Sequence, residues 1–186
     1  RLSLLKKNKN FKFKKIDINN LSKIEKIFEH GKFDYVFNLA AQAGVRYSIE
    51  FPRKYIDTNI KGTVNMCQAA IENNVSRIIH TSTSEVYGSA QYLPINESHP
   101  INSQSPYAAS KAAADQLALS YYKSFNLPVK IIRPFNVYGP RQSERAIIPT
   151  IINQFLNKNK FVTLGNTKPQ RDFNYIEDTV NGFIKI

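Results

Sequence analysis

The feature that most constrains this chain is an alternation. Short apolar, β-branched or aromatic runs at Phe11–Ile18, Tyr35–Leu39, Arg77–Thr81 and Val129–Arg133 predict strands. Longer stretches near Leu21–His30, Pro52–Asn73 and Pro106–Phe125 carry helical apolar spacing and lie between them. Strands joined through helices pair in parallel, so the pattern implies an α/β fold with a doubly wound parallel sheet. Pro52 and Pro106 fall in a first helical turn, where the missing N–H costs nothing, and Ser105 stands ready to cap. Asn73-Asn74 predicts the end of the middle helix, and Asn126 with Pro128 the end of the next. After Pro134 the pattern loosens into loops, a helix near Ile147–Leu156, a short strand near Phe161–Leu164 and a final helix from about Glu177.

In open α/β sheets, ligands gather at the carboxyl ends of the strands. Here the strands end in Asp17-Ile18, Asn38-Leu39-Ala40-Ala41, Ser82-Thr83-Ser84-Glu85 and Pro134-Phe135-Asn136. Polar groups recurring on one rim point to a shared site. The net charge of +12 invites a nucleic-acid partner, but its distribution argues against one. Seven positive charges precede the first acid, Asp17, which leaves a surplus of five over the rest of the chain, ordinary for a protein that binds a nucleotide diphosphate. No apolar run reaches the length of a membrane span, and the single Cys67 fits a reducing cytoplasm. Three histidines and that cysteine show no metal-ligand spacing, so no metal is expected.

Tyr107 and Lys111 stand at i and i+4, on one helical face. A phenol titrates near 10, so acting as a base near neutrality requires a fall of about three units. A fixed ammonium one turn away, aided by an oxidised nicotinamide, could supply it. About two dozen residues upstream, Thr81-Ser82-Thr83-Ser84-Glu85-Val86-Tyr87-Gly88 offers a hydroxyl to orient a substrate alcohol. Further stretches join these: Phe37–Ala41, Asn59–Thr63, Pro106–Lys111, Arg133–Pro140 and Arg171–Asp178. Together, in order and spacing, they resemble the extended short-chain dehydrogenase/reductase family, the NAD-dependent epimerases and dehydratases of nucleotide sugars.

The resemblance implies a Rossmann-like fold, NAD as cofactor, and roles for individual residues. Thr83, Tyr107 and Lys111 would form the catalytic triad. Asp17 and Ile18 would contact the adenine end of NAD, and Leu39, Ala40 and Ala41 would line its pyrophosphate and ribose side. Asn59, Ser82 and Pro134 would complete the cofactor's surroundings, together with Tyr107 and Lys111. Asn136 and Arg171 would grip the substrate diphosphate, a planar guanidinium matching phosphate oxygens, with Arg145 and Thr83 beside the substrate. By itself Asn59 reads as a hydrogen-bonder inside its helix, and Arg145 as a solvated loop charge or a ligand alike.

Dehydratases of this family place an acid/base pair directly after the triad hydroxyl. Here Ser84-Glu85 stands there, which resembles the guanosine-type dehydratases rather than the Asp-Glu of the deoxythymidine type. The expected activity is therefore 4,6-dehydration of a nucleotide sugar. Ser103–Tyr107 and Gly139–Thr150 are most similar to dehydratases of GDP-N-acetylglucosamine, with UDP-N-acetylglucosamine or UDP-glucose as other substrates. A 4-epimerase or decarboxylase, or a non-catalytic nucleotide-sugar-binding protein, are the rival readings. A homodimer through the two long helices is implied too. The chain opens on Arg1 and stops within a helical pattern, and none of its seven glycines forms the family's phosphate-binding turn. It reads as a fragment: 1–140 a partial NAD-binding domain and 141–186 the beginning of a sugar-nucleotide subdomain, inactive alone.

Overall fold

The computed structural model describes residues 2–158 and 160–186, so Arg1 lies outside the described part. Three strands, β1 (Tyr35–Asn38), β2 (Arg77–Thr81) and β3 (Val129–Ile132), form a parallel sheet in the order β1-β2-β3. Tyr35 pairs with Arg77 and Ile78 with Val129, so the three carboxyl ends come out level. β2 is central, and Ile78, Ile79 and His80 are all buried; β1 buries alternate residues, as an edge strand with one covered face does.

Helix α1 (Leu2–Leu5) is a single turn, and α2 (Leu21–Gly31) leads into β1. α2 is capped by Asn20, whose side chain accepts from the Lys23 N–H. Between β1 and β2 run α3 (Val45–Glu50), α4 (Pro52–Tyr55), a π-helical turn (Ile56–Lys61) and α5 (Gly62–Glu72). A short 3₁₀ turn, Ser84–Tyr87, follows β2, and α6 (Pro106–Phe125) returns the chain to β3. α6 begins with Pro106 behind a Ser105 cap and ends at Asn126 in the left-handed conformation, as its sequence predicts. The core lies where α2, α5 and α6 cover the sheet: Ile24 and Phe28, Cys67, Ala69 and Ala70, Ala118, with Val36 and Ile78 beneath them. Small residues on α5 and α6 let these helices pack close.

Beyond β3 come β4 (Asn136–Tyr138), α7 (Ile147–Leu156), β5 (Phe173–Tyr175) and α8 (Ile176–Lys185). β4 and β5 pair in parallel as a separate two-stranded sheet, so a ladder joins the segments on either side of residue 140.

Four expectations need correction. Phe11–Ile18 is not a strand: it forms no ladder, and Ile16 and Ile18 instead pack against the core from a stretch without regular structure. Its apolar residues are satisfied by burial alone, which alternation in sequence does not distinguish from pairing. Phe161–Leu164 forms no strand either, with Phe161 largely exposed. The helix at 52–73 is broken by the π turn, where one extra residue per turn re-aims the side chains that follow. β4 and β5 were not foreseen, since three-residue strands carry too little pattern.

Candidate active site

Thr83 sits just past the end of β2 in extended conformation and caps the 3₁₀ turn by accepting from the Glu85 N–H at 3.3 Å. That cap turns Ser84 and Glu85 outward while Val86 and Tyr87 go into the core. Tyr107, in the first turn of α6, lies beside Thr83, whose side chain favours the ionised phenol, and its ring packs edge-on against Tyr55 at 6.0 Å. Lys111, one turn further along, is only 3% exposed. Thr83, Tyr107 and Lys111 are thus brought to one place, from a strand end and one helix face.

Their electrostatics differ from the sequence expectation in one respect. Burial pushes the Tyr107 phenol above its ordinary value, Glu85 and Tyr55 push it further, and the Thr83 side chain pulls the other way. The expected lowering of the phenol by Lys111 is not found: desolvation is the largest influence on Tyr107, and only Thr83 opposes it. Burial lowers Lys111 itself to about 8, with the charge of Asp115 opposing. At neutral pH the lysine is still mostly a cation.

A cavity of about 760 Å³ opens beside the triad, lined by Ser84, Glu85, Asn136 and Arg171 among others. Two predicted catalytic residues and two predicted substrate-binding residues, from three parts of the chain, therefore line one cavity. β4 delivers Asn136, and the Asn136 N–H donates to the Asp172 carbonyl at 3.0 Å, which draws the Arg171 segment alongside. Arg145 is exposed at the approach to α7 and is not among the lining residues.

The predicted cofactor residues fall on the rim of β1. Leu39, Ala40 and Ala41 are exposed at its carboxyl end, and Asp17 is exposed nearby. The π turn organises them. Asn59 is buried, its carbonyl accepts from the Gln42 N–H at 2.8 Å, and its amide donates to the Gln42 carbonyl and Ser110 Oγ. Its polar atoms are thus engaged by protein, and it holds the loop after Ala41 in place. At the other end of the turn, Gly62 backs onto Ile18 so closely that a Cβ there would lie 2.4 Å from the Ile18 side chain. Ser82 donates to Asp115 at 2.9 Å, and Pro134 accepts from the Ser84 N–H at 3.1 Å, which steers the catalytic turn. The donors suit a dinucleotide: Asp17 would offer a carboxylate to the adenosine, Ala40 and Ala41 would leave room for a pyrophosphate, and Lys111 is a buried cation. The phosphate-binding glycine turn is not in this chain.

Reasoning from sequence missed what lies beneath. Asp115, Arg133, His80 and Tyr87 form a buried polar cluster under the triad. The signal was present in the spacing, since Asp115 follows Lys111 by one helical turn in a segment otherwise made of small apolar residues. Among the described residues no cluster of three metal-ligating side chains occurs, and no helix is long and apolar enough to cross a membrane.

The sequence profile of the GDP-mannose 4,6 dehydratase family matches residues 1–186. A dTDP-D-glucose 4,6-dehydratase of Dictyostelium discoideum is 39% identical over 193 aligned residues, covering 98% of this chain and 44% of the relative. Among solved structures, the dTDP-glucose 4,6-dehydratase of Streptomyces venezuelae with NAD and TYD bound superimposes with a TM-score of 0.88 at 31% identity, covering 98% of this chain and 56% of that one. The UDP-glucuronic acid 4-epimerase of Bacillus cereus, with UDP-glucuronic acid and NAD, also gives 0.88, at 34% identity over 98% of this chain and 57% of that one. The chain spans about half the length of the curated relatives it matches.

Proposed function

The chain belongs to the GDP-mannose 4,6 dehydratase family, among the NAD-dependent epimerases and dehydratases, and from that premise we propose that its full-length gene product is a nucleotide-sugar 4,6-dehydratase. One observation carries the choice of reaction: Ser84 and Glu85 line the same cavity as Asn136 and Arg171, directly after the Thr83 that stands beside Tyr107. A carboxylate in that position has no task in a simple epimerisation and an obvious one in an elimination.

Tyr107 takes the proton of the sugar 4-hydroxyl, oriented by Thr83 beside it, and at the end gives that proton to carbon 5 as hydride arrives at carbon 6. When bound, NAD supplies a hydride acceptor at carbon 4 that returns the hydride at carbon 6. Glu85 removes the proton at carbon 5, acidified by the neighbouring ketone, and Glu85 or a water protonates the departing 6-hydroxyl. Lys111 stays cationic beside the phenol and the ribose. Asn136 and Arg171 hold the diphosphate. General acid–base steps of this kind contribute about 10²–10⁴-fold each, and positioning of the sugar contributes much of the rest.

The preferred substrate is GDP-N-acetylglucosamine, on the strength of Ser84-Glu85 and the sequence around Ser103–Tyr107 and Gly139–Thr150. We place the enzyme in the cytoplasm as a homodimer paired through the helices at 52–73 and 106–125, with 1–140 on the cofactor side and 141–186 on the sugar side. The 4-epimerase reading stands second, because the structural likeness to the Bacillus cereus epimerase is as close as that to the Streptomyces venezuelae dehydratase. Incubating the full-length gene product with NAD and a panel of GDP-, UDP- and dTDP-sugars separates the two. A product lighter by one water supports dehydration and identifies the substrate; a product of unchanged mass and inverted carbon 4 establishes epimerisation and rejects the role given to Glu85.

A further inference from the structure

Beneath the triad, Asp115 is fully buried and lies two helical turns beyond Tyr107 and one beyond Lys111. Three side chains from two strands converge on its carboxylate. Ser82 Oγ donates to it at 2.9 Å from the end of β2, and Arg133 Nε donates at 3.0 Å from beyond β3. His80 Nε2 stands 3.5 Å from the other oxygen. Arg133 reaches on to the hydroxyl of Tyr87 at 3.1 Å, with its guanidinium 5.2 Å over that ring, and Tyr87 closes the 3₁₀ turn that carries Glu85. One carboxylate therefore touches the residue before Thr83, is linked through Arg133 to the turn bearing Glu85, and shares its helix with Tyr107 and Lys111.

We propose that Asp115 is a positioning residue of this site: it locks the Tyr107–Lys111 helix against the strand ends that carry Thr83 and Glu85, and it is the counter-charge that keeps Lys111 an ammonium. The proposal rests on the catalytic reading of Tyr107 and Lys111 given above, though not on which sugar is turned over. Geometry supports the lock, since hydrogen bonds from two strand ends to one helical side chain fix the helix in both rotation and height. Charge supports the second part. The charged group acting on Lys111 is Asp115, one turn along the same buried helix face; His80 on β2 is itself pushed down by burial and by Lys111. Tyr107 lies a turn away and is itself acted on by Glu85 from the 3₁₀ turn and Tyr55 from α4. Arg133 is a second cation on the same carboxylate. Asp115 is thus the one anion among the charges acting directly on Lys111.

Asp115→Asn keeps the volume and the acceptor oxygen and removes the charge. In the full-length gene product, the Lys111 Nζ resonance of ¹⁵N-lysine-labelled protein is titrated in wild type, Asp115→Asn and Ser82→Ala. The midpoint near 8 in wild type falls by about one unit or more in Asp115→Asn, and the alkaline limb of the turnover–pH profile moves down with it. Ser82→Ala keeps the charge and loses one strand-end hydrogen bond, so the midpoint stays in place while turnover falls several-fold at every pH, with KM little changed. A folded Asp115→Asn with an unmoved midpoint overturns the counter-charge; a Ser82→Ala with wild-type turnover overturns the lock, and does so even where Asp115→Asn fails to fold. Failure of the dehydratase reading is recognised separately, since product mass reports it and the lysine midpoint does not depend on it.

Discussion

Lys111 costs the fold stability, and the cost can be measured. Burial brings its pKa from 10.5 to about 8, a fall of roughly 2.5 units at about 1.4 kcal/mol each, or about 3 kcal/mol. Because the folded-state value is depressed, the unfolded chain binds the proton more tightly. The cost is therefore present in full below pH about 8, where both states are protonated, and it disappears as pH rises towards 10.5. Lys111→Met replaces the stem with an unbranched apolar chain of similar length and removes the charge. Asp115 keeps Arg133 and Ser82 as partners, so no uncompensated anion is left behind. The expected result is an inactive enzyme that is more stable than wild type by about 3 kcal/mol at pH 7. Denaturant unfolding of the full-length gene product without NAD, followed by circular dichroism at pH 7 and again near 10, reads both numbers. A variant less stable at pH 7, or one whose advantage is the same at both pH values, would refute the reasoning.

The other predictions follow from single observations. Glu85→Gln leaves oxidation at carbon 4 possible and stops elimination, so water loss measured by product mass falls by about 10²-fold or more. Cys67 is 1% exposed and its thiol is pushed up to about 12 by burial, so iodoacetamide at pH 8 labels it only after unfolding; mass spectrometry of the native protein shows no adduct. Gly88 holds φ of +65°, and a Cβ there would lie 2.1 Å from the Asn102 carbonyl oxygen. Gly88→Ala therefore lowers stability by about 2 kcal/mol or more and depresses turnover by displacing the turn that bears Glu85; thermal unfolding and a rate measurement test the two parts.

Much of this site is written in local sequence, and the reasons are physical. Ser105-Pro106 starts α6 and Asn126 ends it through preferences that act over one turn, so the helix bearing Tyr107 and Lys111 can be placed to the residue. Thr83, Ser84 and Glu85 follow a strand whose apolar run, Ile78-Ile79, is unmistakable. What escaped depends on contacts distant in sequence. Phe11–Ile18 looks like a strand because Ile16 and Ile18 need burial, and only the fold shows that packing without pairing meets that need. Asn59 resembles a helical hydrogen-bonder, and its backbone carbonyl does accept from Thr63, but its side chain goes to Gln42 and Ser110 instead. Arg133 stands within a recognisable motif, while its pairing with Asp115 across the helix–sheet interface has no local trace.

The arrangement separates charges by depth. Below the triad, Asp115 and Lys111 are buried and Arg133, partly buried, is ion-paired to Asp115, so altering any of them alters the support of the triad together with stability. Above it, Glu85 and Arg171 are exposed to the cavity and make few protein contacts that the fold depends on. Thr83 and Tyr107 lie at the boundary side by side, the first buried and the second exposed in part. Under the proposed reaction, chemistry common to dehydration and epimerisation, removal of the 4-hydroxyl proton, would use the lower groups and the boundary pair. Chemistry that distinguishes those reactions uses the upper ones. Substitutions in the cavity wall can therefore exchange one reaction or one sugar for another at little cost to folding, whereas the buried carboxylate and its two cations must be retained together for any reaction on this rim.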